Sequence, residues 1–324
     1  MTDDVRIAVL IPCYNEEMTI ANVVSDFRTA IPNARVYVYD NNSTDQGAER
    51  AQEAGAIVRS ETLQGKGNVI RRMFADIDSD IYVLVDGDDT YDAARAPDLV
   101  ESLLEHQLDM VNAARVAVAD EAYRPGHRQG NALLATIVRL VFGDRIRDLL
   151  SGYRVFSRRF VKSFPALSTG FEIETELTVH ALELRMPLLE IDTAYKERPA
   201  GSVSKLRTIH DGFRILKTIA ILVKEERPMP FFSLVFALLA LTSLVLAYPI
   251  FAEFFETGLV PRFPTAILST GMMMLAFLSL ACGLILDTVT HGRRELKRLH
   301  YLSIPAFDRT ATSDCRPASR KEQA

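Results

Sequence analysis

The stretch IYVLVDGDD, residues 81–89, joins a short apolar run to a cluster of acidic residues. An apolar run of this length is typical of a buried strand in a parallel sheet, so we predict a strand over residues 81–86. Asp86 and Asp88 stand at its end, and open α/β sheets bind their ligands beyond the carboxyl ends of the strands. This stretch therefore predicts a central strand and the edge of the sheet at which chemistry should be sought.

The same pattern continues on both sides of this stretch, where short apolar runs alternate with amphipathic stretches. Such alternation is typical of strand and helix units that build a mostly parallel sheet. The sequence therefore predicts an α/β domain over residues 1–204. The predicted strands cover residues 6–11, 35–40, 57–59, 81–86, 109–114 and 188–197, and the predicted helices cover residues 16–29, 44–54, 67–76, 96–106 and 171–185.

Composition excludes several classes of function. The 324 residues have a formal net charge of −5, so nucleic acid is not an expected partner and phosphates must be bound by local clusters. Cys13, Cys282 and Cys315 are odd in number and widely spaced, which indicates neither a disulfide framework nor a zinc site. The first residues, with Asp3 and Asp4, lack the pattern of a cleaved signal peptide, so we expect this domain to stay in the cytoplasm.

Two apolar segments follow the α/β domain. Residues 228–252 and 263–286 contain no charged residue, and each is long enough to cross a hydrocarbon layer of ~30 Å at about 1.5 Å per residue. We predict a two-helix transmembrane hairpin within residues 228–290, because a core helix rarely stays apolar all round over such a length. Basic residues flank the hairpin and are scarce in its loop, so both termini are predicted to be cytoplasmic. The flanking residues are Lys224, Arg227, Arg293, Arg294, Lys297 and Arg298, and the loop contains Arg262.

The segments beside the hairpin have different patterns. Over residues 205–227, apolar residues recur at three- and four-residue spacing among basic ones, which we interpret as an amphipathic helix in the membrane interface. The alternative is an ordinary amphipathic helix packed on the domain. Residues 291–324 are predicted to form a basic and disordered cytoplasmic tail. With only two spans per chain, a homo-oligomer assembled through the helices is a further hypothesis.

The acidic residues after the central strand predict a metal site. Asp86 and Asp88 are one residue apart at a strand end, where two carboxylates can share a hard divalent ion. Such an ion takes oxygen ligands and completes its shell with the phosphate oxygens of a nucleotide. The alternative is an acidic turn, because Asp and Gly are common turn formers.

Polar residues also follow the first two predicted strands and precede a helix. The run PCYNE, residues 12–16, brings an aromatic ring and polar groups to a place that suits a nucleotide base, and Asn15 can also cap the next helix. Asp40 ends the second strand and can accept hydrogen bonds from a base or a ribose. Lys66, in Gly65-Lys66-Gly67, adds a cation beside backbone amides, although the spacing of a P-loop is missing.

In this order and at these strand ends, the residues resemble glycosyltransferase family 2, the inverting enzymes of the GT-A fold. The resemblance covers roughly residues 5–206 and depends on the combination of Pro12, Tyr14-Asn15-Glu16, Asp40, Gly65-Lys66-Gly67 and Asp86-x-Asp88. Within the family, the chain is similar to the dolichyl-phosphate and undecaprenyl-phosphate sugar synthases. That similarity lies in NAAR at 112–115, SGYRVFS at 151–157 and RPAGSVSK at 198–205.

The resemblance implies a role for each matching position. Arginine forks and a metal ion would neutralise the negative charges that meet when a lipid phosphate attacks a nucleotide diphosphate. For any one arginine, a surface ion pair is the open alternative, and Arg124 could take the role given to Arg128. The implied metal ligands for Mg²⁺ or Mn²⁺ are Asp86 and Asp88, and these join Arg115 and Arg198 as the catalytic set. The implied nucleotide-binding residues are Pro12, Tyr14, Asn15, Glu16, Asp40, Lys66 and Asp86, and those around the acceptor and its phosphate are Arg115, Arg128, Arg198, Ser204 and Lys205.

Two features depart from the family pattern. Thr90 stands two residues after Asp88, where relatives often have a glutamine that is a further metal ligand, so weaker or water-mediated metal binding is expected. Glu172 and Glu174 lie near the position of a carboxylate base in sugar-accepting relatives. An acceptor phosphate is already ionised near neutral pH and needs no base. We therefore expect these glutamates to orient the sugar or the active-site loop, with a solvated helix face as the alternative.

The resemblance implies one inverting displacement, in which a polyprenyl phosphate takes the sugar of a UDP- or GDP-sugar at the membrane. One alternative is a processive polysaccharide synthase of the same family. Such synthases share a Gln-x-x-Arg-Trp motif and have more helices, whereas this chain has no tryptophan and two predicted spans. The other alternative is an inactive membrane scaffold subunit with the same fold, against which the intact carboxylates and basic residues argue.

Overall fold

A computed structural model describes residues 5–117, 146–170, 172–199, 224 and 227–307. Contacts between residues divide the described chain into two units. The first contains the described residues up to 199 together with 297–307, and the second contains the described residues from 224 to 296.

The first unit is built on a seven-stranded sheet. The strands follow one another along the sheet in the order β3-β2-β1-β4-β6-β5-β7. The strands are β1 (Ile7–Cys13), β2 (Arg35–Asp40), β3 (Ile57–Ser60), β4 (Ile81–Leu84), β5 (Met110–Ala117), β6 (Arg154–Ser157) and β7 (Leu188–Tyr195). The helices are α1 (Ile20–Ala30), α2 (Gly47–Glu53), α3 (Lys66–Asp76), α4 (Ala96–Glu105), α5 (Arg158–Ser163) and α6 (Ile173–Glu183), and a 3₁₀ turn covers Ala93–Arg95.

The direction of the strands determines where their ends meet. β1 pairs in parallel with β2 and with β4, and β5 pairs in parallel with β7. β6 lies between β4 and β5 and is antiparallel to both. The carboxyl ends of the parallel strands therefore share one edge of the sheet, and β6 begins at that same edge.

Burial explains why β1 and β4 occupy the middle of the sheet. All four residues of β4 are buried, and so are Ile7 to Ile11 of β1. Strands covered on both faces read as continuous apolar runs rather than as alternating ones. Side chains of α1 and α4 join them in one hydrophobic core, and the contributing helix residues include Val24, Phe27, Leu99 and Leu103.

The prediction of an α/β domain with a mostly parallel sheet is confirmed by this topology. Each predicted strand and helix of this domain has an observed counterpart, with ends that differ by a few residues. β6 and α5 were not predicted, because β6 runs antiparallel between β4 and β5 and so departs from the alternation that indicates a parallel sheet. Helix α1 begins at Ile20, four residues later than predicted.

The second unit contains two long apolar helices, α7 (Pro228–Thr257) and α8 (Phe263–Ser303). Both are long and apolar enough to cross a membrane. They pack closely where α8 has small residues. A Cβ atom on Gly283 would lie only 2.8 Å from Cβ of Phe232, so the helices could not approach this closely with a larger residue there. The Ser243 hydroxyl also donates a hydrogen bond to the carbonyl oxygen of Ser269, at 2.7 Å. The buried residues of α8 recur every seven positions, at Ser269, Ala276, Gly283 and Thr290.

The structure corrects the prediction of a disordered tail for residues 291–303, which belong to helix α8. Helix α8 continues to Ser303, because this stretch is rich in good helix formers and makes specific contacts after residue 297. Lys297 Nζ donates to Glu183 Oε2 at 2.7 Å, and the Tyr301 hydroxyl donates to Asp109 Oδ2 at 2.6 Å. Residues 308–324 and nearly all of the predicted interfacial helix at 205–227 lie outside the described residues.

Candidate active site

The candidate site lies at the shared edge of the sheet, where loops follow β1, β2 and β4. The loop after β4 brings Asp86 and Asp88 there, and the loop after β1 brings Glu16. Gly152 reaches the same place from the other direction, because it precedes the antiparallel strand β6.

Asp86 is held between a lysine and a glycine. Lys66 Nζ, at the start of α3, lies 2.5 Å from Asp86 Oδ1 and 2.5 Å from Glu174 Oε1 of α6. Burial lowers the pKa of Lys66, but these carboxylates raise it by more, so its pKa lies above the usual value. Burial, together with the neighbouring Asp86, raises the pKa of Glu174 above its usual value although Lys66 lowers it. Lys66 is therefore charged and shared by two acidic groups.

Gly152 allows the backbone to approach the Asp86 carboxylate closely. A Cβ atom on Gly152 would lie 2.2 Å from Asp86 Oδ2, which is far inside van der Waals contact. The Gly152 amide also donates to the Tyr91 hydroxyl at 2.8 Å, which fixes the backbone in place. A side chain at this position can be accommodated only if the Asp86 carboxylate moves away.

We therefore expect Gly152→Ala to lower the activity of this site by roughly 10- to 100-fold, because a reacting group displaced by about 1 Å can cost 10²-fold in rate. The thermal unfolding midpoint should change little, since Asp86 can turn towards solvent. The matched control is Gly292→Ala, where a Cβ atom would meet nothing within 4 Å. Equal activity in both variants would show that the position of Asp86 does not matter.

Asp88 is oriented by a hydroxyl and an arginine. The Thr90 hydroxyl donates to Asp88 Oδ1 at 2.6 Å, and Arg198 Nη2 lies 2.5 Å from Asp88 Oδ2. Burial and the neighbouring Asp86 raise the pKa of Asp88, while Arg198 lowers it. Arg198 Nη1 also lies 3.9 Å from Glu16 Oε1. Thr90, which stands where relatives often have a metal-ligating glutamine, therefore orients the Asp88 carboxylate through its hydroxyl.

The two aspartates fit a divalent ion that is bound together with a substrate. Each already faces a cationic group at 2.5 Å, Lys66 for Asp86 and Arg198 for Asp88, so positive charge is accommodated beside both. Within the described part of the chain, no group of three His, Cys, Asp or Glu side chains converges as a complete metal site. Mg²⁺ or Mn²⁺ held here by Asp86 and Asp88 would take its remaining ligands from phosphate oxygens and water.

Asn15 joins the loops after β1 and β2. Its backbone has a φ of 52°, its amide donates to the Ser43 hydroxyl at 2.9 Å, and its side-chain oxygen accepts from the Thr44 amide at 2.7 Å. The suggestion that Asn15 caps the next helix is wrong, because α1 begins after Thr19 and has no side-chain cap. The residue is used instead to fix the shape of the loop.

The other predicted nucleotide-binding residues surround this loop. Pro12 lies beside Tyr39 in the paired strands β1 and β2. Tyr14 has 39% of its surface exposed, so its ring is accessible at the rim. Both Asp40 carboxylate oxygens lie 3.3 Å from the Ser43 amide. That these residues bind a nucleotide stays a prediction.

Arg115 forms a bidentate ion pair with Asp148. Its Nε and Nη2 donate to Asp148 Oδ2 and Oδ1 at 2.7 and 2.8 Å, and its guanidinium lies 5.5 Å from the centre of the Tyr195 ring. The alternative for any single arginine was a surface ion pair, whereas this pair is largely buried, with 15% and 9% of the two side chains exposed. No spacing signal connects Arg115 with Asp148, since 33 positions separate them. Arg128, Ser204 and Lys205 lie outside the described residues.

Three glutamates at the start of α6 face the interior of the domain. Glu172, Glu174 and Glu176 are each less than 10% exposed, so the alternative of a solvated helix face is wrong. Glu176 accepts hydrogen bonds from the amides of Leu167 and Ser168 at 2.9 and 2.7 Å. Glu176 thereby fixes the backbone of the loop that contains Leu167 and Ser168.

This loop packs against the glycines around Lys66. A Cβ atom on Gly67 would lie 2.2 Å from the carbonyl oxygen of Ser168, and one on Gly65 would lie 2.2 Å from that of Thr169. The Gly67 amide donates to the Thr169 carbonyl at 3.1 Å. The two glycines therefore allow the backbone contact that places Lys66.

Comparison with known proteins identifies a family model and several relatives. Residues 8–164 match the model described as glycosyl transferase family 2. Glycosyltransferase AglJ of Haloferax volcanii is 31% identical over 298 residues, which cover 91% of this chain and 98% of that protein. The dolichyl-phosphate hexose transferase of the same organism is 28% identical over 222 residues, covering 68% of this chain and 95% of that protein.

Solved structures show the same fold at low sequence identity. The glucosyl-3-phosphoglycerate synthase of Mycobacterium tuberculosis, in complex with Mn²⁺, UDP-glucose and phosphoglyceric acid, superposes with a TM-score of 0.56 and 22% identity. The match covers 68% of this chain and 80% of that chain. The α/β domain described above therefore has the GT-A fold that the resemblance implied.

Proposed function

The chain belongs to glycosyltransferase family 2, and from this premise we propose that it transfers a sugar from a UDP- or GDP-sugar to a polyprenyl phosphate. The product is a polyprenyl-phosphate-linked sugar. The proposal depends above all on one observation, the meeting of two carboxylates and two cations at one edge of the sheet. Asp86 and Asp88 suit a metal ion, and Lys66 and Arg198 suit phosphates.

The donor in this proposal is a nucleotide diphosphate sugar bound at the loops after β1, β2 and β4. The solved synthase with the same fold was crystallised with UDP-glucose and Mn²⁺, which supports a diphosphate donor and a divalent ion. We propose that Tyr14 and Asp40 contact the base and the ribose, which is consistent with their positions at the same edge of the sheet.

The reaction is a single displacement at the anomeric carbon with inversion. When bound, Mg²⁺ or Mn²⁺ at Asp86 and Asp88 supplies positive charge to the leaving diphosphate. Lys66 keeps a further positive charge beside Asp86, and Arg198 offers a planar fork of donors to phosphate oxygens. The chain's own residues thus bind and orient the two phosphate-bearing substrates.

The acceptor in this proposal is a lipid phosphate, which needs no deprotonation near neutral pH. Glu174 is consistent with this, because it is paired with Lys66 instead of being free to act as a base. A dolichyl-phosphate hexose transferase among the relatives and the two apolar helices α7 and α8 support a lipid acceptor. Arg198, and Ser204 and Lys205 outside the described residues, are proposed to contact its phosphate.

We further propose that α7 and α8 anchor the enzyme in a membrane, with the catalytic domain and both termini in the cytoplasm. An apolar span needs about 20 residues, and α8 has 41 residues. Its basic carboxy-terminal part can therefore extend beyond the hydrocarbon layer while its apolar part spans it. The excess of Lys and Arg outside the short loop between the helices supports this orientation.

The orientation predicts the response of a reporter enzyme that is active only outside the cytoplasm. Fusion after Ala324 should give no signal, and insertion near Glu256, close to the end of α7, should give a strong one. The measurement is reporter activity in whole cells, normalised to the amount of fusion protein. The reverse pattern would place the nucleotide-sugar site outside the cytoplasm and contradict the proposed topology.

The function is tested by supplying the membrane-embedded protein with radiolabelled UDP- and GDP-sugars and a polyprenyl phosphate. We expect label from one donor to enter the organic phase, and to do so only when the lipid phosphate is present. Label that stays in the aqueous phase with every donor would contradict the proposed acceptor.

A further inference from the structure

A buried lysine shared by two carboxylates distinguishes the interior of the candidate site. Only 9% of the Lys66 side chain is exposed, and both Asp86 and Glu174 lie 2.5 Å from its Nζ. A charge this deeply buried is costly unless it is paired. One cation therefore compensates two carboxylates.

The two carboxylates are not equivalent. The Asp86 side chain is 29% exposed and that of Glu174 is 6% exposed, so Asp86 is the outer partner. Glu174 Oε2 is buried and has no hydrogen-bond partner among the described residues. Asp86 can turn towards a bound ligand, whereas Glu174 faces Lys66 from within the fold.

The interior also fixes the backbone of Glu174. Its carbonyl oxygen accepts a hydrogen bond from the Thr178 hydroxyl at 3.1 Å, and that hydroxyl accepts one from Arg154 Nη1 at 2.8 Å. Arg154 is fully buried and donates also to the carbonyl oxygens of Ser151 and Leu149. The first turns of α6 are thereby tied to β6, which begins at the candidate site.

We propose that Glu174 is a positioning residue that retains Lys66 when Asp86 turns to a divalent ion. This inference is based on the proposed function, in which Asp86 is a metal ligand. Lys66 and the ion compete for the Asp86 carboxylate. Breaking the Lys66–Asp86 contact costs little only if a second carboxylate keeps the charge of Lys66 paired. The free Oε2 of Glu174 offers Lys66 a second contact after that change.

The inference predicts coupling between Glu174 and Lys66 in metal binding. The experiment measures Mn²⁺ affinity by electron paramagnetic resonance on the full chain in detergent, with a saturating nucleoside diphosphate (UDP or GDP) to supply the phosphate ligands. It compares the wild type, Glu174→Gln, Lys66→Met and the double variant. We expect Glu174→Gln to weaken Mn²⁺ binding by about 10-fold, because Lys66 then remains on Asp86, and Lys66→Met to change it by no more than about threefold. In the double variant the affinity should return to within about threefold of the wild type.

The inference would be overturned if the effects of Glu174→Gln and Lys66→Met on the free energy of Mn²⁺ binding were strictly additive in the double variant. Additive effects would mean that each residue acts only through its charge, without the exchange of partners. The matched control is Glu176→Gln, which removes an equally buried carboxylate of the same helix that contacts backbone amides instead of Lys66. An equal loss of Mn²⁺ affinity in Glu176→Gln and Glu174→Gln would also overturn it.

Folding and the proposed function are checked separately. Thermal unfolding midpoints identify variants that fail to fold, and Glu174→Asp, whose carboxylate is one methylene farther from Lys66, replaces Glu174→Gln in the cycle if needed. A wild type that transfers sugar with Mn²⁺, together with an additive cycle, contradicts the inference alone. A wild type that transfers sugar and binds no Mn²⁺ contradicts both the inference and the metal dependence in the proposed function.

Discussion

Asp88→Ala should abolish sugar transfer, with a loss of roughly 10²- to 10³-fold or more, while the protein stays folded. The metal ion would lose one of its two protein ligands, and the leaving diphosphate would lose its counter-ion. Folding should survive because Arg198, the partner of Asp88, is 28% exposed and can be solvated. The measurement is the initial rate of transfer at saturating donor and acceptor, with the thermal unfolding midpoint recorded for the same preparation.

The matched control is Asp98→Ala, which removes an exposed carboxylate of α4 that is paired with Arg95. It should transfer sugar at the wild-type rate. A chelator should reproduce the effect of Asp88→Ala on the wild type, and added Mg²⁺ or Mn²⁺ should restore activity. Activity that survives both the substitution and the chelator would contradict a metal-dependent mechanism.

Arg198→Ala should lower transfer by about 10- to 100-fold, because loss of a charge-assisted contact to phosphate costs ~1.5–3 kcal/mol. Arg198→Lys should also be impaired, since an ammonium cannot replace the planar fork of a guanidinium. Arg72→Ala is the control, because Arg72 is an exposed arginine of α3 that pairs with Asp76. The rates are measured in detergent with a short, soluble polyprenyl phosphate.

Lys205 provides a comparison under the same conditions. Lys205→Ala should also reduce transfer strongly, whereas Lys205→Arg should be milder because one cation replaces another. If Lys205 only anchors a helix to anionic lipid, worth ~1 kcal/mol, its removal should have no effect in detergent. Wild-type rates for both Arg198→Ala and Lys205→Ala would contradict the proposed phosphate site.

Local patterns were sufficient to predict the central strands and the edge at which Asp86 and Asp88 lie. The apolar run before Asp86 is uninterrupted and buried, and the carboxyl ends of parallel strands meet at one edge whatever the details of packing. The positions of Asp40 and Glu16 followed for the same reason. The ends of helices were less predictable, as the late start of α1 shows, because Asn15 was used in a loop instead of as a cap.

Contacts between distant segments could not be predicted. Lys66 and Glu174 are 108 positions apart, and no periodicity connects a residue of α3 with one of α6. Gly152 reaches Asp86 only because β6 runs antiparallel between β4 and β5, a pairing that no short pattern specifies. The pairing of Arg115 with Asp148 likewise depends on how β5 is packed, so the sequence could suggest a phosphate contact and not this ion pair.

The proposed nucleophile is the phosphate of a polyprenyl phosphate, and the mass of the lipid product reveals whether that phosphate has been glycosylated. The membrane-embedded enzyme is incubated with its preferred nucleotide sugar and a polyprenyl phosphate of defined length, and the organic extract is analysed by mass spectrometry. We predict a product whose mass is that of the lipid phosphate plus one glycosyl residue, the sugar less one water, with a single phosphorus atom and with the nucleoside diphosphate released. No such product should form when the free polyprenol replaces its phosphate. A lipid product with two phosphorus atoms, or an equal yield from the free polyprenol, would contradict transfer to the lipid phosphate.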